Sequence, residues 1–401
     1  MKDLAQGTIS SPLGFKTNAL HCGLKDSRNL DLGLIYSIVK ANAAGVFTKN
    51  KIQGAHIGLD KLHLRDCFAQ AIIVNSGNAN CCTGKKGQQD IGAITLELAR
   101  ELDLKKSFVL AASTGIVGEF LPCKKILDKI PELAQGIDFS SAQQFAQSIL
   151  TTDTCAKQSA VEFKIKGKRI VIGAAAKGAG MICPNMATML CFITTDAYIE
   201  PAALKKALSL AVEKSFNCIS VDGQMSPNDS VFILSNGLAD NELICQQDSE
   251  FEIFTKALTY ICLKLAKMII LDAEGATKII QVKVKGAKTK KQARSVNSKI
   301  INSPLVKTMA AGENSNWGRI VVCVGTADAF FKPENIEIFL QGKCVYKNLC
   351  PALKVEAKHW FKLLRQKEWQ IEVNLNAGNY EHTTWTSDLT PEYVKINMGY
   401  S

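Results

Sequence analysis

The chain has 401 residues, of which 47% are hydrophobic and 21% charged, the make-up of an ordinary globular protein, and it is long enough to bury a core without staples. A net charge of +11 suggests anionic partners, but the lysines are spread out. The one dense run, Lys288 to Arg294 (KTKKQAR), has no interleaved aromatic and reads as a solvated helix face, so no nucleic acid or membrane partner is expected. The 14 cysteines and five histidines lack ligand spacing; no metal is expected, and cysteines inside apolar runs (Cys183, Cys191, Cys245, Cys262, Cys323) suit a reducing cytoplasm. The N-terminus has no secretory or transit pattern, and no apolar run is long enough to span a bilayer.

In chain order, a turn-rich start (Gly7 to Lys25) precedes strand patterns at Leu32 to Val39 and Ala44 to Thr48. Phe68 to Val74 (FAQAIIV) is a stronger strand. It ends in NSGNAN (Asn75 to Asn80), small and polar residues that expose backbone to a ligand. Apolar residues at helical spacing predict a helix from Gln88 to Leu104. A short strand, Phe108 to Ala112, then runs into Ser113-Thr114-Gly115-Ile116-Val117-Gly118. A hydroxyl beside a flexible backbone N–H after a strand supplies the parts of an oxyanion hole; a plain strand-end turn is the other reading.

Ser141 with Gln144 predicts a capping box and a helix ending near Thr151–Thr154. Val161 to Ile165 and Arg169 to Ala174 flank Lys166-Gly167-Lys168 as a hairpin. Pro201 opens a helix to about Phe216, and Ile219 to Gly223 and Ser230 to Ser235 read as buried strands. Ser249 and Glu252 predict a capped helix to Ile270, and Glu274 follows at a glycine-bearing break, a candidate amine-binding carboxylate. From about Ile280 come a strand (Gln281 to Val284), a basic helix, strand patterns at Ile336 to Leu340 and Gln370 to Leu375, and a helix near Ala352 to Leu364, together a second lobe.

Lys177 to Ala197 (KGAGMICPNMATMLCFITTDA) joins a glycine-loosened loop to a buried strand at Ala187–Thr188. Such a junction can hold a hydroxyl rigidly beside a carbonyl; on spacing alone a plain loop leading into a core strand is the commoner reading. The stretch closely resembles the signature of the ArgJ family, the ornithine acetyltransferases and glutamate N-acetyltransferases of arginine biosynthesis. NSGNANCCTG (Asn75 to Gly84), STGIVGEFLP (Ser113 to Pro122), TTDT (Thr151 to Thr154), SVDGQMSPND (Ser220 to Asp229), NWGRI (Asn316 to Ile320) and SDLTPEYVKIN (Ser387 to Asn397) also look like ArgJ blocks, in ArgJ order.

The resemblance implies a layered α/β fold of the self-processing DmpA/ArgJ-like type, with a smaller C-terminal α/β lobe. It implies self-cleavage between Ala187 and Thr188, so that residues 1–187 form an α-chain, 188–280 complete the catalytic domain, and 281–401 form the C-terminal lobe of the β-chain. An α₂β₂ heterotetramer is implied too. Thr188 is then the nucleophile that carries acetyl from N-acetylornithine to glutamate. Thr114 and Gly115 form the oxyanion hole. Thr151, Lys177, Thr188, Glu274, Asn397 and Ser401 contact substrate. The family usually ends one residue later, with threonine, so Ser401 is a substitute, and Asn314-Ser315 stands where the family often has Asp-Pro. Use of acetyl-CoA as a second donor is left open. An N-terminal-threonine amidase or aminopeptidase is the rival enzyme reading, and a basic binding protein with a decayed site is the rival outside enzymes. Cys183 is a rival nucleophile to which the resemblance gives no role.

Overall fold

The computed structural model describes residues 1–183, 189–352 and 357–399. They divide into two compact units, one of residues 1–181, 189–217 and 224–269, the other of 182–183, 218–223, 270–352 and 357–399.

The first unit holds a nine-stranded sheet. Its strands are β1 (Lys2–Asp3), β2 (Phe15–Leu20), β3 (Leu32–Phe47), β4 (Phe68–Asn78), β5 (Val109–Ile116), β6 (Lys157–Ile165), β7 (Lys168–Lys177), β8 (Leu190–Thr195) and β10 (Ser230–Ser235); β9 (Ile219–Ser220) belongs to the second unit. The order is β1-β6-β7-β8-β10-β3-β4-β5, with β2 also on β3. The pairs β8–β10 and β4–β5 are parallel. The two strand patterns at 32–39 and 44–48 are one long strand, because β3 keeps pairing across an irregularity between Tyr36 and Ala41. One edge of β3 holds β4, and the other holds β2 and then β10 end to end.

That long strand lets the sheet fold over on itself. Along the ladder β5 and β7 are five strand spacings apart, about 24 Å in a flat sheet, yet Lys177 on β7 lies 3.0 Å from Thr114 on β5. The two halves meet in one apolar layer of Phe15, Ile35, Ile72 and Leu110 against Ala175, Phe192, Phe232 and Leu234. Phe192 stacks on Phe232 at 6.0 Å, and Phe145 meets Phe192 edge-on at 5.5 Å. On the far side of β4 and β5, α2 (Gly84–Glu101) buries Ile91, Ile94 and Leu98 against Ile73, Val109 and Ala111. Phe163 on β6 packs on Phe254 of α7 (Ser249–Leu271) at 6.3 Å. Covered on both faces, β4 takes the near-continuous apolar run FAQAIIV, interrupted only by half-buried Gln70, rather than an alternating one.

Several boundaries differ from expectation. The predicted hairpin is present, its turn made by Lys166 and Gly167, both at positive φ (46° and 82°). No capping box forms at Ser141: its hydroxyl donates instead to Asp138 Oδ1 (2.6 Å), which also accepts the Ser140 and Ser141 amides. The helix it opens, Ala142–Ser148, stops short of Thr151. The strand expected over 219–223 covers only β9.

The second unit is the smaller α/β lobe. Its seven-stranded sheet runs β14-β13-β12-β15-β11-β16-β9, with β11 (Ile279–Ala287), β12 (Glu337–Leu340), β13 (Lys343–Lys347), β14 (Cys350–Pro351), β15 (Glu368–Asn374) and β16 (Tyr380–Ser387). On β15, Trp369, Ile371 and Val373 turn inward and the residues between them outward, the alternation of a sheet covered on one face. Covering it, the helix Lys290–Ile301 contributes Ala293, Val296 and Ile300. It carries the end of the basic run and is capped by Thr289, whose hydroxyl accepts the Gln292 amide at 3.2 Å. The C-terminal helix Pro391–Gly399 follows β16. Among the described residues no helix is long and apolar enough to cross a membrane. All fourteen cysteines are free thiols, Cys191, Cys262 and Cys323 buried and Cys183 and Cys245 half-buried.

Candidate active site

Thr114, Thr151 and Lys177 come together in the first unit. Lys177, the last residue of β7, is 3% exposed. Its ammonium donates to Thr114 Oγ1 at 3.0 Å and to Thr151 Oγ1 at 2.8 Å. An ammonium only donates, so both threonine oxygens act as acceptors here and keep their own O–H protons to give elsewhere.

Gly115 follows on the same strand, which does not end at Ala112 but runs to Ile116. Its φ is +135°, and a Cβ there would lie 2.2 Å from the Gly77 carbonyl carbon. Only glycine fits, because β4 and β5 remain paired through Gly77 and Gly115. Side chains lock these strand ends together. Ser113 Oγ donates to Asn75 Oδ1 at 2.7 Å, and Asn228 Nδ2 donates to the Ala79 and Ser113 carbonyls at 2.5 and 2.7 Å. A rigidly held hydroxyl beside a fixed backbone N–H is the kind of preset donor pair that suits a developing negative charge.

Asp153, not singled out from the sequence beyond its TTDT block, holds the cluster's charge. Its carboxylate accepts the Lys157 ammonium (2.6 Å) and the Gly178 amide (2.7 Å), and also the Thr151 amide (3.2 Å). Lys157 and Asp153 side chains are fully buried. Burial would raise the Asp153 carboxyl, but Lys177 and Lys157 outweigh it and hold it below the usual carboxylate range. An acid at a helix end between threonines was the available signal, and it is a weak one.

Asp229 was a second omission. It is 1% exposed, and its Oδ1 accepts the Met189 amide at 3.0 Å. That amide belongs to the peptide joining Met189 to residue 188. Burial pushes the Asp229 carboxyl well above the usual range, against the Met189 bond and the Lys177 charge.

The second unit brings another pair together. Asn397 Nδ2 donates to Glu274 Oε2 at 2.8 Å. The break after α7 is the expected one: Gly275, at φ +68°, packs on the first turn of the C-terminal helix, where a Cβ would meet Tyr393 N at 2.6 Å. Tyr393, one turn before Asn397, donates to Asp222 Oδ2 at 3.1 Å. Burial, then Asp222, raises the Tyr393 phenol above its ordinary value. Ala187, Thr188 and Ser401 lie outside the described residues.

Buried hydroxyls, a glycine-only strand position and a lysine–carboxylate network make a site suited to acyl chemistry. The ArgJ family model matches residues 16–401. The chain is similar to the arginine biosynthesis bifunctional protein ArgJ of Bacillus licheniformis, 44% identical over 397 residues that cover 98% of this chain and 96% of that one. It is also similar to that of Caldanaerobacter subterraneus subsp. tengcongensis, 41% identical over 99% of each. Among solved structures, it is similar to ornithine acetyltransferase of Mycobacterium tuberculosis, complexed with ornithine. That likeness is 30% identical, covers 46% of this chain and 97% of the other, and has a TM-score of 0.43. The chain belongs to the ArgJ family.

Proposed function

We infer that the chain is an N-acetyltransferase of arginine biosynthesis, moving acetyl from N-acetylornithine to glutamate. The observation that carries this is the near full-length likeness to bifunctional ArgJ proteins at 44% identity.

On this reading Thr188 acts twice. Its hydroxyl first attacks the Ala187 carbonyl. The peptide C–N bond breaks, the nitrogen takes a proton to become the Thr188 amine, and water hydrolyses the ester, leaving chains 1–187 and 188–401. The new α-amine, with a pKa of about 7.7–8.0, is a general base matched to neutral pH. In catalysis Thr188 Oγ attacks the acetyl carbon of N-acetylornithine, and ornithine leaves as its protonated amine. The amine of glutamate then attacks the acetyl ester and restores the hydroxyl. Thr114 and the Gly115 N–H stabilise each tetrahedral oxyanion. Glu274, held by Asn397, meets the side-chain ammonium of ornithine. Thr151 and Ser401 complete the substrate contacts. Acyl transfer of this kind calls for no metal or organic cofactor, and acetyl-CoA would enter only as a second donor. The cut chains form an α₂β₂ assembly in the cytoplasm.

The test is to give the purified protein N-acetylornithine with and without glutamate. N-acetylglutamate formed with parallel-line ping-pong kinetics supports the reading. Acetate released at the same rate without glutamate favours the amidase reading instead.

A further inference from the structure

We propose that Lys25, set near Lys177, is a cation of the acyl-transfer site that holds the α-carboxylate of the amino-acid substrates. The proposal rests on the acetyltransferase reading above.

Lys25 lies in the loop between β2 and β3, which a buried carboxylate shapes. Asp31 Oδ1 accepts the Cys22 amide at 2.6 Å, and its Oδ2 accepts those of Gly23, Leu24 and Lys25 at 3.1, 2.7 and 3.1 Å. Four N–H bonds on one carboxylate fix the loop's path. The loop is pressed onto the oxyanion strands: a Cβ on Gly77 would lie 3.0 Å from the Leu24 carbonyl and 3.3 Å from Lys25 Cγ. Gly77 is the residue paired with Gly115. The stem of Lys25 therefore passes over the strand pair that carries the oxyanion donors, and its half-buried ammonium is tethered to the Leu30 carbonyl at 2.9 Å.

The charged groups around that ammonium are Asp31, Lys177 and Asp153. Asp153 already serves Lys157 and Gly178, and Asp31 serves four amides. A cation beside an oxyanion hole suits a carboxylate, and both amino-acid substrates carry one. Burial lowers the Lys25 pKa to about 8, Lys177 adding to this and Asp31 and Asp153 opposing it. Substrate affinity should then fall as pH rises through about 8, because neutral lysine cannot anchor an anion.

The experiment compares wild type, Lys25→Met and Lys25→Arg for KM and kcat with N-acetylornithine and glutamate from pH 7 to 9.5. Intact mass checks self-cleavage in each. Lys25→Met is expected to raise KM for both substrates about tenfold to a hundredfold, the loss of one charged hydrogen bond. kcat should change little, and the rise of KM above pH 8 should vanish. Lys25→Arg should recover most of the affinity and shift that rise to higher pH. A Lys25→Met variant that transfers acetyl with unchanged KM, or that loses kcat alone, overturns the proposal and leaves the acetyltransferase reading standing. No transfer by the wild type overturns both.

Discussion

Lys177 donates to Thr114 Oγ1 across the fold of the sheet, joining strands that the ladder keeps five spacings apart. The bond fixes which way the Thr114 hydroxyl can act. With its oxygen accepting from the ammonium, the proton is left for a developing oxyanion. Thr114→Val should lower kcat by about 10²–10³, the usual cost of one oxyanion donor, with KM nearly unchanged. Thr114→Ser should recover most of it. Single-turnover acetylation rates check this, and equal losses in both variants would contradict the donor role.

Gly115→Ala should be worse for the fold than for the chemistry. The backbone at φ +135° costs an alanine about 1–3 kcal/mol, and its Cβ would overlap the Gly77 backbone at 2.2 Å. A clear fall in Tm by thermal denaturation is expected. An unchanged Tm would mean that β4 and β5 separate easily there.

Asp229 gives a pH dependence of known sign. Burial raises its folded pKa above its unfolded value of about 3.9, so the folded protein holds a proton that the unfolded chain releases. The stability it contributes is full below the unfolded value and is lost as pH rises toward the folded one, by at most about 1.4 kcal/mol per pH unit. His56 works oppositely: burial lowers its pKa to about 4, so it weakens the fold as pH falls below its ordinary value. The difference between wild type and Asp229→Asn removes His56 from the comparison. Urea midpoints at pH 5 and pH 8 should show the variant gaining on the wild type as pH rises. A difference that stays flat would contradict a carboxyl raised by burial at Asp229.

Glu274 and Asn397 should act as one unit. Each single alanine variant is expected to raise KM for N-acetylornithine, and the double variant should raise it by less than the product of the two. The shortfall for residues in contact is about 0.5–3 kcal/mol. Independent effects would mean that the 2.8 Å bond does no work in binding.

What the sequence made legible was local. The Lys166-Gly167 hairpin, the buried β4 and the Thr114-Gly115 pair follow from turn chemistry, a near-continuous apolar run and a hydroxyl beside a glycine. The misses were of two kinds. Some elements continue through residues that normally break them: β5 runs on through Ser113-Thr114-Gly115, because β4 supplies a partner at every step. Other residues matter only through long-range closure. Asp153, Asp229 and Lys25 are ordinary surface types in sequence; the β6–β7 hairpin brings Asp153 to Lys177, the β7–β8–β10 ladder brings Asp229, and only the fold-over of the sheet brings Lys25. At Ser141 a local competitor won, since Asp138 captured the hydroxyl that would have capped the helix.

The central claim is that Thr188 cuts the chain and then carries acetyl. Intact mass of the purified protein, beside Thr188→Ala, tests it most directly. The account predicts two fragments, 1–187 and 188–401, for the wild type, and one uncut chain for the variant. Brief exposure to N-acetylornithine should then add one acetyl group to the fragment beginning at Thr188. A wild type that stays whole would contradict the account. So would a variant that is cut like the wild type, which would move the cleavage to a protease or to Cys183.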